Sequence, residues 1–149
     1  MSEAKLLKPE LIHLLEFRLI KGQIDSPFDF KMDKIEDYNL KVEFEMGFNH
    51  EEKLVRSDFN INVTTKSVDQ VTEEARASYQ FAFVFNVENL EELVTTDENG
   101  LKVSSNLGNA IASITYSTSR GILLSRFMGT VMQDFMLPVI SPNELLKPK

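Results

Sequence analysis

Between Ser105 and Gly129 a short side chain recurs at every fourth position: Ser105, Asn109, Ser113, Ser117, Gly121, Ser125 and Gly129. With 3.6 residues per turn, this spacing predicts one long helix carrying a slowly drifting stripe of small residues. Glycine in such a helix costs about 1 kcal/mol relative to alanine, so a close neighbour has to compensate for it. Two neighbours fit. One is the chain's own sheet, and the other is a second subunit approaching along Ser113, Ser117, Gly121 and Ser125. Leu107, Ile111, Ile114, Ile122, Phe127 and Met128 give broad apolar coverage beside the stripe. A helix of this kind is a structural spine rather than a catalytic element.

The region before it reads as strands. Leu40, Val42, Phe44, Met46 and Phe48 alternate with Lys41, Glu43, Glu45 and Gly47, the pattern of a half-buried strand. Val55, Ser57, Phe59, Ile61 and Val63 repeat it against Arg56, Asp58, Asn60 and Asn62. Tyr79, Phe81, Phe83, Phe85 and Val87 form a further strand. Ala82 and Val84 make its other face apolar as well, which predicts a central or doubly covered position. The segment 13–24 is a fourth strand, with Leu15, Phe17 and Leu19 on one parity, ended by Pro27.

The connection Asn49 to Lys53 is hairpin-sized, so the strands around it should pair antiparallel. Residues 66–76 allow the same for the next pair. Phe28 to Asp37 reads as an irregular linker, residues 89–93 as a single helical turn, and Asp97-Glu98-Asn99-Gly100 as a turn. After the long helix, Pro138 and Pro142 break the chain, and Ser141 is placed to cap a short final helix with Pro142 at its first position. Four strands followed by helices, without strand–helix alternation, predict an α+β fold on a four-stranded antiparallel sheet.

The chain has 149 residues, 42% of them hydrophobic, which suits one domain over residues 1–149. Residues 1–10 and 147–149 are expected to be flexible tails. Neither a membrane-length apolar run nor a signal-peptide pattern occurs, so the expected compartment is the cytoplasm. Without cysteine, disulfides and thiolate chemistry are excluded. Residues 1–105 carry 21 Asp+Glu against 12 Lys+Arg, and residues 106–149 carry 2 against 4. So acidic a front half disfavours nucleic acid and could draw basic polypeptides from a distance; a solvated acidic surface is the simpler explanation.

Catalytic chemistry is thin. His13 lies in an apolar strand and reads as a core or edge histidine, and His50 lies in a turn. Neither belongs to a metal-ligand pattern, and no nucleophile-elbow, phosphate-loop or dinucleotide motif occurs. Asp134, between Met132 and Phe135, is a lone acid, either functional or a hydrogen-bonding helix-edge residue. No enzyme activity, metal or cofactor is expected. Soft apolar side chains are abundant instead, with 11 Phe and 6 Met. Phe127, Met128, Met132, Phe135 and Met136 cluster at the exit of the long helix. They read either as core filling or as an adaptable binding groove.

The order of elements and the terminal block resemble the SecB family of export chaperones. Gly129-Thr130 is similar to the family's helix exit, Leu137-Pro138-Val139 to its Ala-Pro-Val-type turn, and Asn143-Glu144-Leu145-Leu146 to the start of its final helix. Phe17, Leu19, Ile24, Asp25 and Pro27 resemble the end of its first strand. The resemblance spans 15–146 as a topology and has local sequence likeness over roughly the last twenty residues. It implies an ATP-independent holdase, a dimer or tetramer that binds unfolded polypeptides, including preproteins for export. The oligomer would pack through Ser113, Ser117, Gly121 and Ser125. Clients would lie against Met46, Phe48, Phe127, Met128, Met132, Phe135 and Met136. Of the acidic positions with which the family docks the SecA motor, Asp25 matches one. The earlier first-strand position falls near Lys21 or Gly22, and the fourth strand carries Phe and Val there. SecB-like adaptors dedicated to one partner, such as a toxin–antitoxin system, are the alternative.

Overall fold

The computed structural model describes residues 7–68 and 73–147. Four strands form one antiparallel sheet: β1 (Ile12–Asp25), β2 (Ile35–Asn49), β3 (Leu54–Ser67) and β4 (Arg76–Val87), in the order β1-β4-β3-β2. A helical turn α1 (Leu90–Leu93) leads into a two-stranded hairpin, β5 (Val94–Asp97) with β6 (Gly100–Val103). The long helix α2 (Ser105–Phe127) and a short α3 (Pro142–Leu146) complete the chain. This is the expected α+β class with its four-stranded sheet, long helix and short final helix.

The alternating residues of β3 and β4 build the core. Val55, Phe59, Ile61, Val63, Phe81, Phe83, Phe85 and Val87 are buried, all on the sheet face that carries α2. Each large side chain so removed from water contributes roughly 1.5–3 kcal/mol before entropy is counted. From the helix, Leu107, Ile111, Ala112, Leu123 and Phe127 meet them. Ser57 Oγ and Thr115 Oγ1, both buried, satisfy one another at 2.7 Å and fix how the helix sits along β3. As expected from its two apolar faces, β4 is central, and Ala82 on its other face is buried.

β1 departs from the simple alternation. Two irregularities, between Leu14 and Glu16 and between Leu19 and Lys21, leave Leu15 and Ile20 without partners across β4. A bulge re-aims the side chains that follow it. Leu14, Phe17 and Leu19 therefore pair with Phe85, Phe83 and Phe81, and Leu15 drops out of the expected parity. Near its end Gly22 faces Tyr79, whose ring lies over the glycine so closely that a Cβ there would come within 2.9 Å.

Other boundaries shift slightly. α2 stops at Phe127 rather than at Gly129, because Met128 is already extended and Gly129 turns the chain at φ +75. Ser141 occupies the cap position of α3 with Pro142 next, but the cap is the main-chain bond Glu144 N–H to Ser141 O, 2.9 Å, not the side chain. The linker after β1 contains a 3-10 turn, Met32–Lys34. The hairpin strands β5 and β6 were not expected; only their turn was. Of the expected tails, residues 1–6 and 148–149 lie outside the described residues, as do residues 69–72 of the connection before β4. Leu7 packs against the core, and Pro9–Leu11 forms a 3-10 turn.

Candidate binding surfaces

The return from α2 decides which of the expected groove residues face water. Thr130 Oγ1 donates to Phe127 O at 2.7 Å and accepts from Met132 N–H at 3.1 Å, winding residues 127–132 into a tight reversal. A further turn, Phe135 N–H to Met132 O, carries the chain back toward the sheet. Phe127 then meets the ring of Tyr79 at 5.6 Å and that of Phe135 at 6.3 Å, while Phe135 lies 5.1 Å from Tyr38. Tyr116 holds the segment from the helix side, its hydroxyl donating to Pro138 O at 2.5 Å. Burial raises the Tyr116 hydroxyl pKa, and Arg120 works in the opposite direction. Tyr38 is raised as well, by burial first and by Asp134 second.

Phe127, Met132 and Phe135 are therefore core residues, 1%, 0% and 7% exposed, and the expectation that they line a groove is corrected. The reversal aims them at the sheet. Met46 and Phe48 are half-buried and pack against the same core from β2. Met46 lies beneath the start of α2, within 3.8 Å of where a Cβ on Gly108 would stand. Met128 and Met136 remain open to solvent, 74% and 61% exposed, along with Val139 at 85%.

Further exposed apolar side chains lie on both faces of β1. Leu14, Leu15, Phe17, Leu19 and Ile20 are all exposed on this edge strand. Their signal in the sequence is the pair of adjacent apolar residues at Leu14-Leu15 and Leu19-Ile20. Both pairs coincide with the irregularities, which give an edge strand apolar side chains off the regular alternation. On the sheet face away from α2, Ile20, Ala82 and Val84 floor a hollow of about 300 Å³ rimmed by Glu16, Arg18 and Arg56. Glu16 pairs with Arg18, and Arg56 with Asp58 at 2.9 Å.

The small-residue stripe lies on the outer face of α2. Ser113, Ser117, Gly121 and Ser125 are exposed, and a Cβ on Gly121 would meet nothing within 4 Å. Ile114 and Leu124 flank the stripe and are themselves exposed. A hollow of about 60 Å³ lined by Ser113, Tyr116, Ser117, Ile140, Pro142 and Leu145 separates the stripe from α3. Of the remaining singled-out residues, Asp25 is exposed at the end of β1, accepts a hydrogen bond from Gln23 at 2.8 Å and stands opposite Arg76. His13 is an exposed edge residue, 2.6 Å from Glu88. Among the described residues no cluster of three or more His, Asp or Glu is arranged to hold a metal, and no helix is long and apolar enough to cross a membrane.

The fold can now be set beside known structures. The SecB-like chaperone Rv1957 of Mycobacterium tuberculosis, solved in complex with a ChAD peptide from the Rv1956 HigA1 antitoxin, superposes with a TM-score of 0.57. The alignment covers 89% of this chain and 93% of that one, at 14% sequence identity. The fold is SecB-like. A protein of unknown function from Streptococcus agalactiae aligns over 86% of this chain and 97% of that one, with a TM-score of 0.32 and 11% identity. No protein-family model and no curated protein matches the sequence. A likeness of fold at 14% identity fits a fold specified by alternation and burial more than by particular residues.

Proposed function

We propose that this protein is an ATP-independent chaperone that binds unfolded or non-native polypeptides through exposed apolar surface. The observation that carries the reading is the set of exposed apolar side chains on the edge strand β1, Leu14, Leu15, Phe17, Leu19 and Ile20. An apolar surface of this kind gains about 25 cal/mol for each Å² of client it covers, and edge-strand main chain can add sequence-tolerant pairing. Met128 and Met136, flexible and polarizable, extend the adaptable surface at the helix exit. The SecB-like fold supports the same reading, and the structural neighbour's bound peptide supports a polypeptide as the ligand class.

The working form in this reading is a homo-oligomer, a dimer or tetramer, in the cytoplasm. The outer face of α2 suits such contact: Ser113, Ser117, Gly121 and Ser125 are small and uncharged and allow close approach. Export clients and SecA docking have less support. Asp25 is the one matching acid, and it stands opposite a cation, Arg76.

The test is aggregation of a chemically denatured client on dilution, followed by light scattering without nucleotide. Suppression near stoichiometric amounts is expected, and failure at a several-fold excess contradicts the proposal. The second reading, an adaptor for one partner, is favoured by the antitoxin peptide in the neighbouring structure. Recovery of a single dominant partner by affinity capture, with no protection of general clients, would select it.

A further inference from the structure

The hairpin between sheet and helix carries chemistry that polypeptide binding does not use. β5 and β6 pair from Val94↔Val103 to Asp97↔Gly100, and the turn between them is Asp97-Glu98-Asn99-Gly100. Within it Gly100 holds φ +108, and the Asn99 N–H donates to Asp97 Oδ1 at 2.8 Å. Every residue of the hairpin except Val94 and Val103 is exposed. Asn99-Gly100 is the chain's one Asn-Gly pair; its other asparagines precede Leu, His, Ile, Val, Ala or Glu.

We propose that Asn99 is a site of spontaneous covalent modification, at which its side-chain amide becomes an aspartyl or isoaspartyl group. The deprotonated backbone nitrogen of Gly100 attacks Cγ of Asn99. The new C–N bond closes a five-membered imide, and the side-chain nitrogen leaves with a proton as ammonia. Solvent water then adds to either imide carbonyl and reopens the ring. One product is an aspartyl residue; the other routes the main chain through the side-chain carbon. Overall, one water is consumed, one ammonia is released, and no oxidant or reductant takes part.

Both the glycine and the hairpin favour the step here. Glycine has no Cβ to shield its nitrogen and rotates freely enough for that nitrogen to reach Cγ. A two-stranded hairpin with almost no buried side chains opens at little cost, so the reactive geometry is sampled often. Asn39, Asn60, Asn62 and Asn86, by contrast, are held in the long paired strands β2, β3 and β4, each before a bulky residue. The isoaspartyl product adds a backbone carbon between Asp97 and Gly100 and therefore disturbs the Thr96↔Leu101 register. Either product sets a new carboxylate beside Asp97 and Glu98, and like charges at close range repel.

The test is incubation of the whole purified protein in mildly alkaline and mildly acidic buffer, followed by peptide mapping with fragmentation that separates the two products. Conversion at Asn99 is expected to exceed that at every other asparagine by on the order of tenfold, as the cheaper opening of the hairpin implies. It should run faster in the alkaline buffer and be absent in Asn99→Ser. A free peptide spanning residues 95–103 sets the unstructured rate. Asn99 left intact over an interval that converts the free peptide overturns the proposal. So does equal conversion at the strand asparagines.

Discussion

Single side chains decide which apolar residues of this protein are core and which are surface. Phe127 and Met132 look alike in the sequence to Met128 and Met136, yet the first two are sealed and the last two are open. Truncating Phe127 to Ala should cost about 3–5 kcal/mol and Met132 to Ala about 2–5 kcal/mol, read as a lowered denaturant midpoint. Met128→Asp should leave the midpoint nearly unchanged, within about 0.5 kcal/mol. A similar cost for all three would contradict the burial pattern. Gly22→Ala drives a Cβ to within 2.9 Å of the Tyr79 ring, itself wedged against Phe81 and Phe127, so a loss of about 1–3 kcal/mol is expected in the same measurement. Tyr116 sets a pH limit. Its folded pKa is raised above the ordinary 10.0, so the unfolded chain ionises first as pH rises. The stability it contributes is complete below about pH 10 and declines above that value. Tyr116→Phe should flatten the alkaline part of the stability profile, at a cost of roughly 1 kcal/mol near neutral pH for the lost bond to Pro138. An unchanged alkaline slope would mean that another group governs it.

At the scale of elements, regular periodicity was readable and its interruptions were not. β2, β3 and β4 alternate so strictly that their pairing and the central place of β4 follow from parity and loop length alone. β1 is also visibly a strand, but its bulges sit at Leu15 and Ile20, where neighbouring apolar residues give no hint of which one loses its partner. The return from α2 has no period at all. Whether Phe135 faces the sheet depends on the reversal built by Thr130 and Gly129, a tertiary fact that local pattern cannot carry. The stripe on α2 was legible as a stripe, but not as the outward face; buried Thr115, Tyr116 and Ser119 cover the sheet instead. That outward face leads to a test of assembly. A charged pair of substitutions, Ser117→Glu with Gly121→Glu, should lower the particle mass in sedimentation while leaving helical circular dichroism in place. An assembly that withstands both changes would remove α2 from the interface.

For the molecule as a whole, the SecB-like fold supplies a sheet covered on one face by α2 and α3, with an edge strand whose apolar side chains are left exposed. Such an edge normally invites uncontrolled association, which proteins suppress with charge or cover. Here β1 leaves Leu14, Leu15 and Ile20 about half exposed, while Phe17 leans on the rings of Phe81 and Phe83. Leu15→Lys combined with Ile20→Lys should weaken protection of a denatured client by several-fold while preserving the folded midpoint; intact protection would clear β1 of that role. Assembly of subunits that hold unfolded polypeptide is tested by solution mass from light scattering, alone and with a permanently unfolded client. The expected result is a particle at a small multiple of 17.0 kDa that gains the client's mass on mixing. A particle of 17.0 kDa whose mass does not change when the client is added would contradict it.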